Sequence, residues 1–451
     1  MKFAAVSECD AFLAAHPAVQ FVDLVVTPLS GVPRGKRLRR HELRPVFEQG
    51  RFLPLSLMVT DITGADTAET GLVWEAGDPD RIVRPVPGTL ALTPWQGPDS
   101  AQVVCTMVEL DGSPCALDPR QVLQGVLDRF TADGLTPVLA CELEYYLVEA
   151  GSTDAPRLRP CTRTGERQTR NEVYGLAELH EVDAYLRDLY AVCDVQGLPL
   201  EGAISEYSPG QIELTLAHKP DALRAADDAV LYKRAAKGIA LNHGMEATFM
   251  AKPFADCAGS GLHIHVSVED RDGRNIFADA DPAGSPALRH AIGGLRETLA
   301  DTMAILAPNA NSYRRFRANS YAPTSPSWGI NNRTVALRVP TGSPSSRHLE
   351  HRVAGADANP YLAVAAVLAG IHHGLTQHCD PGPPVSGNGY GAATLPTVWV
   401  NAIDAFAASG RMADYLGPRF VEMYATMKRA EHERYSALVP SLDYAWYLRN
   451  A

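Results

Sequence analysis

The sequence predicts a mixed α and β chain of two domains, and three observations carry that expectation. With 451 residues, 46% of them hydrophobic, it holds too much apolar material for one core, so two or more domains are expected. Its opening part sets short β-type runs, such as FVDLVV at 21–26, among Gly/Pro punctuation, with no long amphipathic helix except near residues 40–50. Beyond residue 116, β-type runs interleave with helix-type ones.

The segment ALDPRQVLQGVLDRFTADG, residues 116–134, carries the marks of a helix. Asp118 suits the N-cap, Pro119 the first helical position, and Gly134 the end. The domain boundary is placed just before it, giving units of residues 1–112 and 113–451. Strands are expected at 136–149, 203–215, 261–268 and 333–339. Helices are expected at 179–196, 219–243, 286–307, 359–375 and 402–409. Asn359 and Pro360 announce the fourth of these in the same way. Residues 378–395 are Gly/Pro-rich and read as a surface loop. Repeats, low-complexity stretches and charged tails are absent from the sequence.

The formal net charge of −11 argues against nucleic acid or an anionic membrane as the main partner. The N-terminus, MKFAAVSECDAFLAAH, has no apolar run long enough for a signal-peptide core. No stretch approaches the ~18 apolar residues of a membrane span. The eight cysteines, Cys161 among them, are scattered singly without a CxxC pair, as expected of reduced thiols in a cytoplasmic protein.

Chemistry concentrates on the strands. Alternate residues of a strand share a face, so Glu142 and Glu144 in LACELEYYLV point the same way, about 6.6 Å apart. Alone, the pair also fits a half-solvated strand face. On an apolar strand, two like charges cost several kcal/mol of desolvation unless a cation joins them. Glu206 and Glu213 flank a Pro-Gly turn, so both can reach one site. His263 and His265 share a strand face after a glycine turn. Four glutamates and a histidine from three strands form an oxygen-dominated ligand set. That suits Mg²⁺ or Mn²⁺, and suits zinc poorly because no cysteine joins.

Arginines follow: Arg314, Arg315 and Arg317, then Arg333 and Arg338, then Arg347 and Arg352 around Glu350. Arginine is the residue for bidentate recognition of carboxylate and phosphate. Any one of them also fits a solvated surface position, Arg317 above all. Arginines beside a glutamate-rich metal site suit ATP phosphates and a carboxylate substrate. The sequence has neither a GxxxxGK(S/T) loop nor a GxGxxG after a strand, so a nucleotide would bind by another architecture.

The runs CELEYYL, SPGQIEL, KPFADCAGSGLHIHVS, NSYRR, NNRTVALRVP and LEHRVAGADANPYL, in this order over nearly the whole chain, resemble the glutamine synthetase family. GTLALTP, VVCTMVELDGSP, MEATFMAKPF and SWGINNRTVALRVP resemble its γ-glutamylpolyamine (γ-glutamylputrescine) synthetase branch. The resemblance implies an α+β fold, with an N-terminal β-grasp domain and a catalytic domain on a curved antiparallel sheet. It implies a homododecamer of two stacked hexameric rings with active sites between subunits.

The same resemblance implies two divalent ions, Mg²⁺ or Mn²⁺. Glu144, Glu206 and Glu213 would hold one, and Glu142, His263 and Glu350 the other. Gly259, Arg315 and Arg352 would bind glutamate. Arg333 and Arg338 would handle the phosphates of ATP. Glu201, His265 and Ser267 match nucleotide-contacting positions. Asp61, from the neighbouring subunit, matches the aspartate of the amine site, with Tyr174 beside that pocket.

Several positions depart from the family pattern. Tyr321 stands where a flap glutamate closes over ammonium in the ammonia-using enzymes. Ala258 replaces the asparagine before the Gly-Ser-Gly turn. His348 takes the place of a basic residue two before Glu350, with Arg347 one place early. Tyr390 lies in a context unlike the family's adenylylation loop. Tyr321 removes a negative charge and adds an aromatic wall, which suits an amine bearing a carbon chain. The implied activity is therefore ATP-dependent ligation of glutamate to a primary amine. Its rivals are a glutamine synthetase using ammonia and a non-catalytic glutamate- or ATP-binding relative.

Overall fold

The computed structural model describes residues 3–151, 155–159, 164–390 and 395–451. Cys161 and residues 391–394 of the expected surface loop lie outside these. The chain begins with α1 (Val6–Ala15), β1 (Phe21–Val26), β2 (Arg34–Arg39), α2 (Arg40–Gln49) and β3 (Arg51–Pro54). Then come β4 (Asp80–Pro85), β5 (Ala91–Leu92) and β6 (Ser100–Val108). They form one sheet in the order β2-β1-β6-β4-β3, with β5 on β6. Strand β6, SAQVVCTMV, is buried along its whole length, as a central strand covered on both faces must be.

The second part runs α3 (Pro119–Ala132), β7 (Thr136–Glu149), α4 (Leu176–Glu181), α5 (Asp183–Gln196), β8 (Leu200–Ser205) and β9 (Gln211–Leu216). It continues with α6 (Ala222–Asn242), β10 (Met245–Thr248), β11 (Leu262–Glu269), α7 (Pro286–Leu306), β12 (Trp328–Ile330), β13 (Leu337–Val339) and β14 (Leu349–His351). Five helices close it: α8 (Pro360–Gln377), α9 (Trp399–Ala408), α10 (Gly410–Leu416), α11 (Pro418–Ser436) and α12 (Ser441–Tyr447). The second sheet has the order β12-β13-β14-β11-β7-β9-β8, with β10 on β7. All its pairs are antiparallel except β12 with β13.

The caps read from the sequence form. Asp118 accepts the Arg120 amide at 2.8 Å, and its other oxygen accepts the Thr106 hydroxyl at 2.9 Å, tying α3 to β6. Asn359 accepts the Tyr361 amide at 3.1 Å and donates to the Pro28 carbonyl at 2.9 Å, so the start of α8 also holds the N-terminal part.

Three expectations change. The helix expected at 179–196 is two, broken at Val182. The 203–215 strand is a hairpin, β8 and β9, turning through Ser208 to Gly210. The 333–339 strand shrinks to β13, because the Asn332 side chain accepts from Thr334 and fixes a turn in its place. The segment after α8 hugs the β12 end of the sheet: Trp328 donates to Pro381 and Gly382, and Asn332 to Val385 and Gly387. Among the described residues, no helix is long and apolar enough to cross a membrane.

Candidate active site

The register of the second sheet sets the site. Glu142 on β7 lies opposite His263 on β11, and Glu144 opposite Glu213 on β9. On the other side, His265 lies opposite Glu350 on β14, and Glu350 opposite Arg338 on β13. Cross-strand partners share a face, so one face of five adjacent strands collects four carboxylates, two imidazoles and a guanidinium.

The contacts follow from that register. His263 Nδ1 lies 2.6 Å from Glu142 and 3.9 Å from Glu350, and its Nε2 lies 3.9 Å from Glu144. Arg338 donates to Glu350 at 2.6 Å, and Arg352 donates to the other oxygen of the same carboxylate. Glu144 accepts the Gly261 amide at 2.7 Å. Glu206, in the β8–β9 turn, accepts the Tyr207 amide at 3.1 Å.

Burial raises the Glu350 carboxyl, but Arg352, the two histidines and Arg338 outweigh it and hold the group at about 2. Burial likewise works against Glu142, and hydrogen bonds from His263 and His265 keep it well below the usual range. Across the site the balance reverses. Burial, then the charge of Glu144, pushes Glu206 up to about 7. Burial, then Glu142 and Glu144, pushes Glu213 far up.

A divalent cation fits this donor set. Ligand atoms of Glu142, His263 and Glu350 lie within 4.8 Å of one another, and so do those of Glu144, Glu213 and His263. The sets are oxygen-rich with a single nitrogen, the chemistry of Mg²⁺ and Mn²⁺. His263 belongs to both groups, and Glu206, expected in the second, is in neither.

Arg315 is buried, donates to the Val353 carbonyl at 3.1 Å, and has no hydrogen-bond partner for Nε among the described residues. It runs over Gly259, where a Cβ would lie 2.6 Å from Arg315 Cγ, so the close approach requires glycine. Arg315 and Arg352 thus leave guanidinium donors for a carboxylate beside the cage. A cavity of about 390 Å³ opens next to the cage, lined by Glu142, Glu201, Thr215, His265, Ser267 and His348. His348 lies 3.2 Å from His265, whereas Arg347 is buried and does not line this cavity.

Four expected residues stand apart from the cage. Arg333 is exposed in the β12–β13 turn, with no contact to the cage among the described residues. Tyr174 is exposed, with its amide on the Ser205 carbonyl at 2.8 Å, next to Glu206. Tyr321 is exposed with φ +58°, on a loop held by the Ser320 hydroxyl on the Arg315 carbonyl at 2.9 Å. Asp61 is buried with both oxygens occupied: one accepts from Thr63 and Ala65, and the other pairs with Arg434 at 2.9 Å. Burial raises the Asp61 carboxyl, but these partners outweigh it and set it below the usual range.

Sequence reasoning missed Asn331, which accepts from Arg338 at 3.0 Å, and left His348 without a role. The spacing of His348 two before Glu350 on a strand was the available signal. Arg314 donates to the Tyr435 hydroxyl at 2.8 Å and so ties the loop to α11.

A largely antiparallel sheet carrying a carboxylate–histidine cage, with buried arginines and a cavity beside it, fits a metal-dependent enzyme acting on anionic substrates. Residues 116–447 match the family described as glutamine synthetase, catalytic domain, and the chain belongs to that family. It is 40% identical to γ-glutamylputrescine synthetase PuuA of Escherichia coli (strain K12), covering 98% of this chain and 95% of that protein. It is 34% identical to glutamate–isopropylamine ligase of Pseudomonas sp, covering 97% and 96%. Among solved structures, GmaS without ligand matches with a TM-score of 0.84 at 27% identity, covering 97% of this chain and 99% of that one. Membership of the family implies use of ATP and a divalent metal.

Proposed function

We propose that this enzyme joins the γ-carboxylate of glutamate to a primary amine, at the expense of ATP and through γ-glutamyl phosphate. The observation that carries the reading is the cage of Glu142, Glu144, Glu213, His263 and Glu350 with Arg315 and Arg352 beside it. Glu142, His263 and Glu350 would hold one divalent ion, and Glu144, Glu206 and Glu213 a second, Mg²⁺ or Mn²⁺ in each case. When bound, the ions neutralise charge on the transferred phosphoryl group.

Gly259, Arg315 and Arg352 orient glutamate. Arg338 and Arg333 face the phosphates. Glu201, His265 and Ser267, joined by His348, border the nucleotide. Tyr174 and Tyr321 wall the amine. The similarity to enzymes named for putrescine and for isopropylamine supports an amine with a carbon chain over ammonia.

A primary alkylamine resembles lysine, with a pKa of ~10.4, so only about one in 10³ is nucleophilic at neutral pH. Asp61 of a neighbouring subunit would bind the ammonium, once Arg434 releases its oxygen. The ammonium has no lone pair, so Asp61 would take one proton before the nitrogen attacks, and the second proton leaves once C–N bond formation has made the nitrogen acidic. Asp61 in this role requires a homo-oligomer, for which we propose the homododecamer of the family. We also propose an N-terminal β-grasp unit over residues 1–112, a catalytic unit over 113–451, and a cytoplasmic location.

The test is phosphate release from ATP with glutamate and Mg²⁺ across putrescine, isopropylamine, ethanolamine, spermine and ammonia. Turnover is expected to be highest with a carbon-bearing amine. Ammonia giving the best turnover would make it a glutamine synthetase, and no turnover with any amine would leave a binding protein.

A further inference from the structure

Away from the cage, α7 and α8 cross in close contact. A Cβ on Gly294 would lie 2.3 Å from the Gly370 carbonyl, and one on Gly374 would lie 2.1 Å from the His290 carbonyl. That contact sets Glu297 of α7 against His373 of α8, with His373 Nε2 3.2 Å from Glu297 Oε2. At the end of α8, His378 adopts a left-handed conformation, φ +53°, and turns the chain back. Cys379 is thereby buried against α7, its carbonyl 3.1 Å from His290 Nδ1. A nitrogen, a sulfur and a carboxylate oxygen then lie within 4.8 Å of one another.

The geometry points to a metal site separate from the cage, formed by Glu297, His373 and Cys379, of the class that takes zinc. The donor types are those of zinc, and the cage's oxygen-rich set is not. Two ligands each ~2.1 Å from a tetrahedral ion lie about 3.4 Å apart, close to the His373–Glu297 separation of 3.2 Å. The Glu297 side chain is 48% exposed, which leaves the fourth position to water. Arg411 lies 3.7 Å from Glu297, but it also has the Glu297 carbonyl at 3.2 Å and Asp301 at 3.4 Å as partners when the carboxylate turns to the ion.

Binding replaces the Cys379 S–H bond with a sulfur–metal bond, and the proton leaves to solvent. The ion would pin the start of the segment that Trp328 and Asn332 hold against the sheet next to Arg333.

Cobalt(II) titration of the chelator-stripped full-length enzyme tests this, because a thiolate–cobalt absorption band cannot arise from a cage without cysteine. One thiolate-bound cobalt per chain is expected. Glu142→Ala should retain the band and Cys379→Ser should lose it. His373→Ala and the surface variant Glu297→Gln should each weaken cobalt binding at least ~10-fold. The proposal fails if no band forms, if the band survives Cys379→Ser, or if Glu297→Gln and His373→Ala bind as the parent does.

Discussion

Glu350 is buried with two guanidiniums against it, whereas Glu213 is half-buried with two further carboxylates near it. Both belong to one sheet face, and the sequence marks them alike as acidic residues on strands. The chain itself neutralises the Glu350 side through Arg338, Arg352, His263 and His265. On the Glu213 side, burial and repulsion hold Glu206 and Glu213 protonated beyond their usual range. The difference teaches that the chain's own cations offset the buried acidic charge on one side only. On the other side only a bound cation could offset the charge of Glu144, Glu206 and Glu213 once they ionise.

Catalysis should break the comparison most sharply, because both sides are needed for turnover. Glu142→Ala and Glu213→Ala should each lower kcat by at least ~10³, with the oligomer intact by size-exclusion chromatography. Full activity in either variant would remove that residue from the site.

Stability should separate the two sides. Glu350→Gln leaves Arg338 and Arg352 facing a neutral amide, and breaking a buried pair in this way costs about 3–5 kcal/mol. Glu213→Gln removes a carboxyl that must take up a proton on folding at neutral pH, so metal-free protein should gain stability. Denaturant midpoints in chelator, moving in opposite directions, check this. Loss in both variants would erase the contrast.

A smaller effect is expected at the amine wall. Tyr321→Glu restores a negative charge where this chain has an exposed aromatic ring. The ratio of kcat/KM for putrescine over ammonia should fall ~10-fold. An unchanged ratio would place amine choice elsewhere.

Much of the site was legible because strands have period two. Glu142 with Glu144, and His263 with His265, share a face for that reason alone, and β7 and β11 run where the pattern put them. Register was not legible. Nothing in the sequence says that Glu142 faces His263 or that Glu350 faces Arg338, since pairing depends on how distant strands meet. Strand β14 has three residues, too few to show a period. The arginines show the same limit. Arg315 is buried over Gly259 while Arg314 reaches Tyr435, and only the return of α11 separates their roles. Helix α11 itself went unread, although Gly417 and Pro418 mark its start.

The most direct test of the two-sided cage is thermal stability against pH, with and without Mg²⁺. A carboxyl raised above its unfolded value of ~4.3 contributes stability that is present below that value and lost as pH rises through the folded one. For Glu206 the folded value is about 7. Glu350 contributes in the opposite sense, with stability present above the unfolded value and lost as pH falls through about 2. Chelator-treated enzyme should therefore lose stability as pH rises from about 4 to about 7, and saturating Mg²⁺ should abolish that loss. A flat profile in chelator, or a loss that Mg²⁺ leaves unchanged, would contradict a cage that awaits a cation.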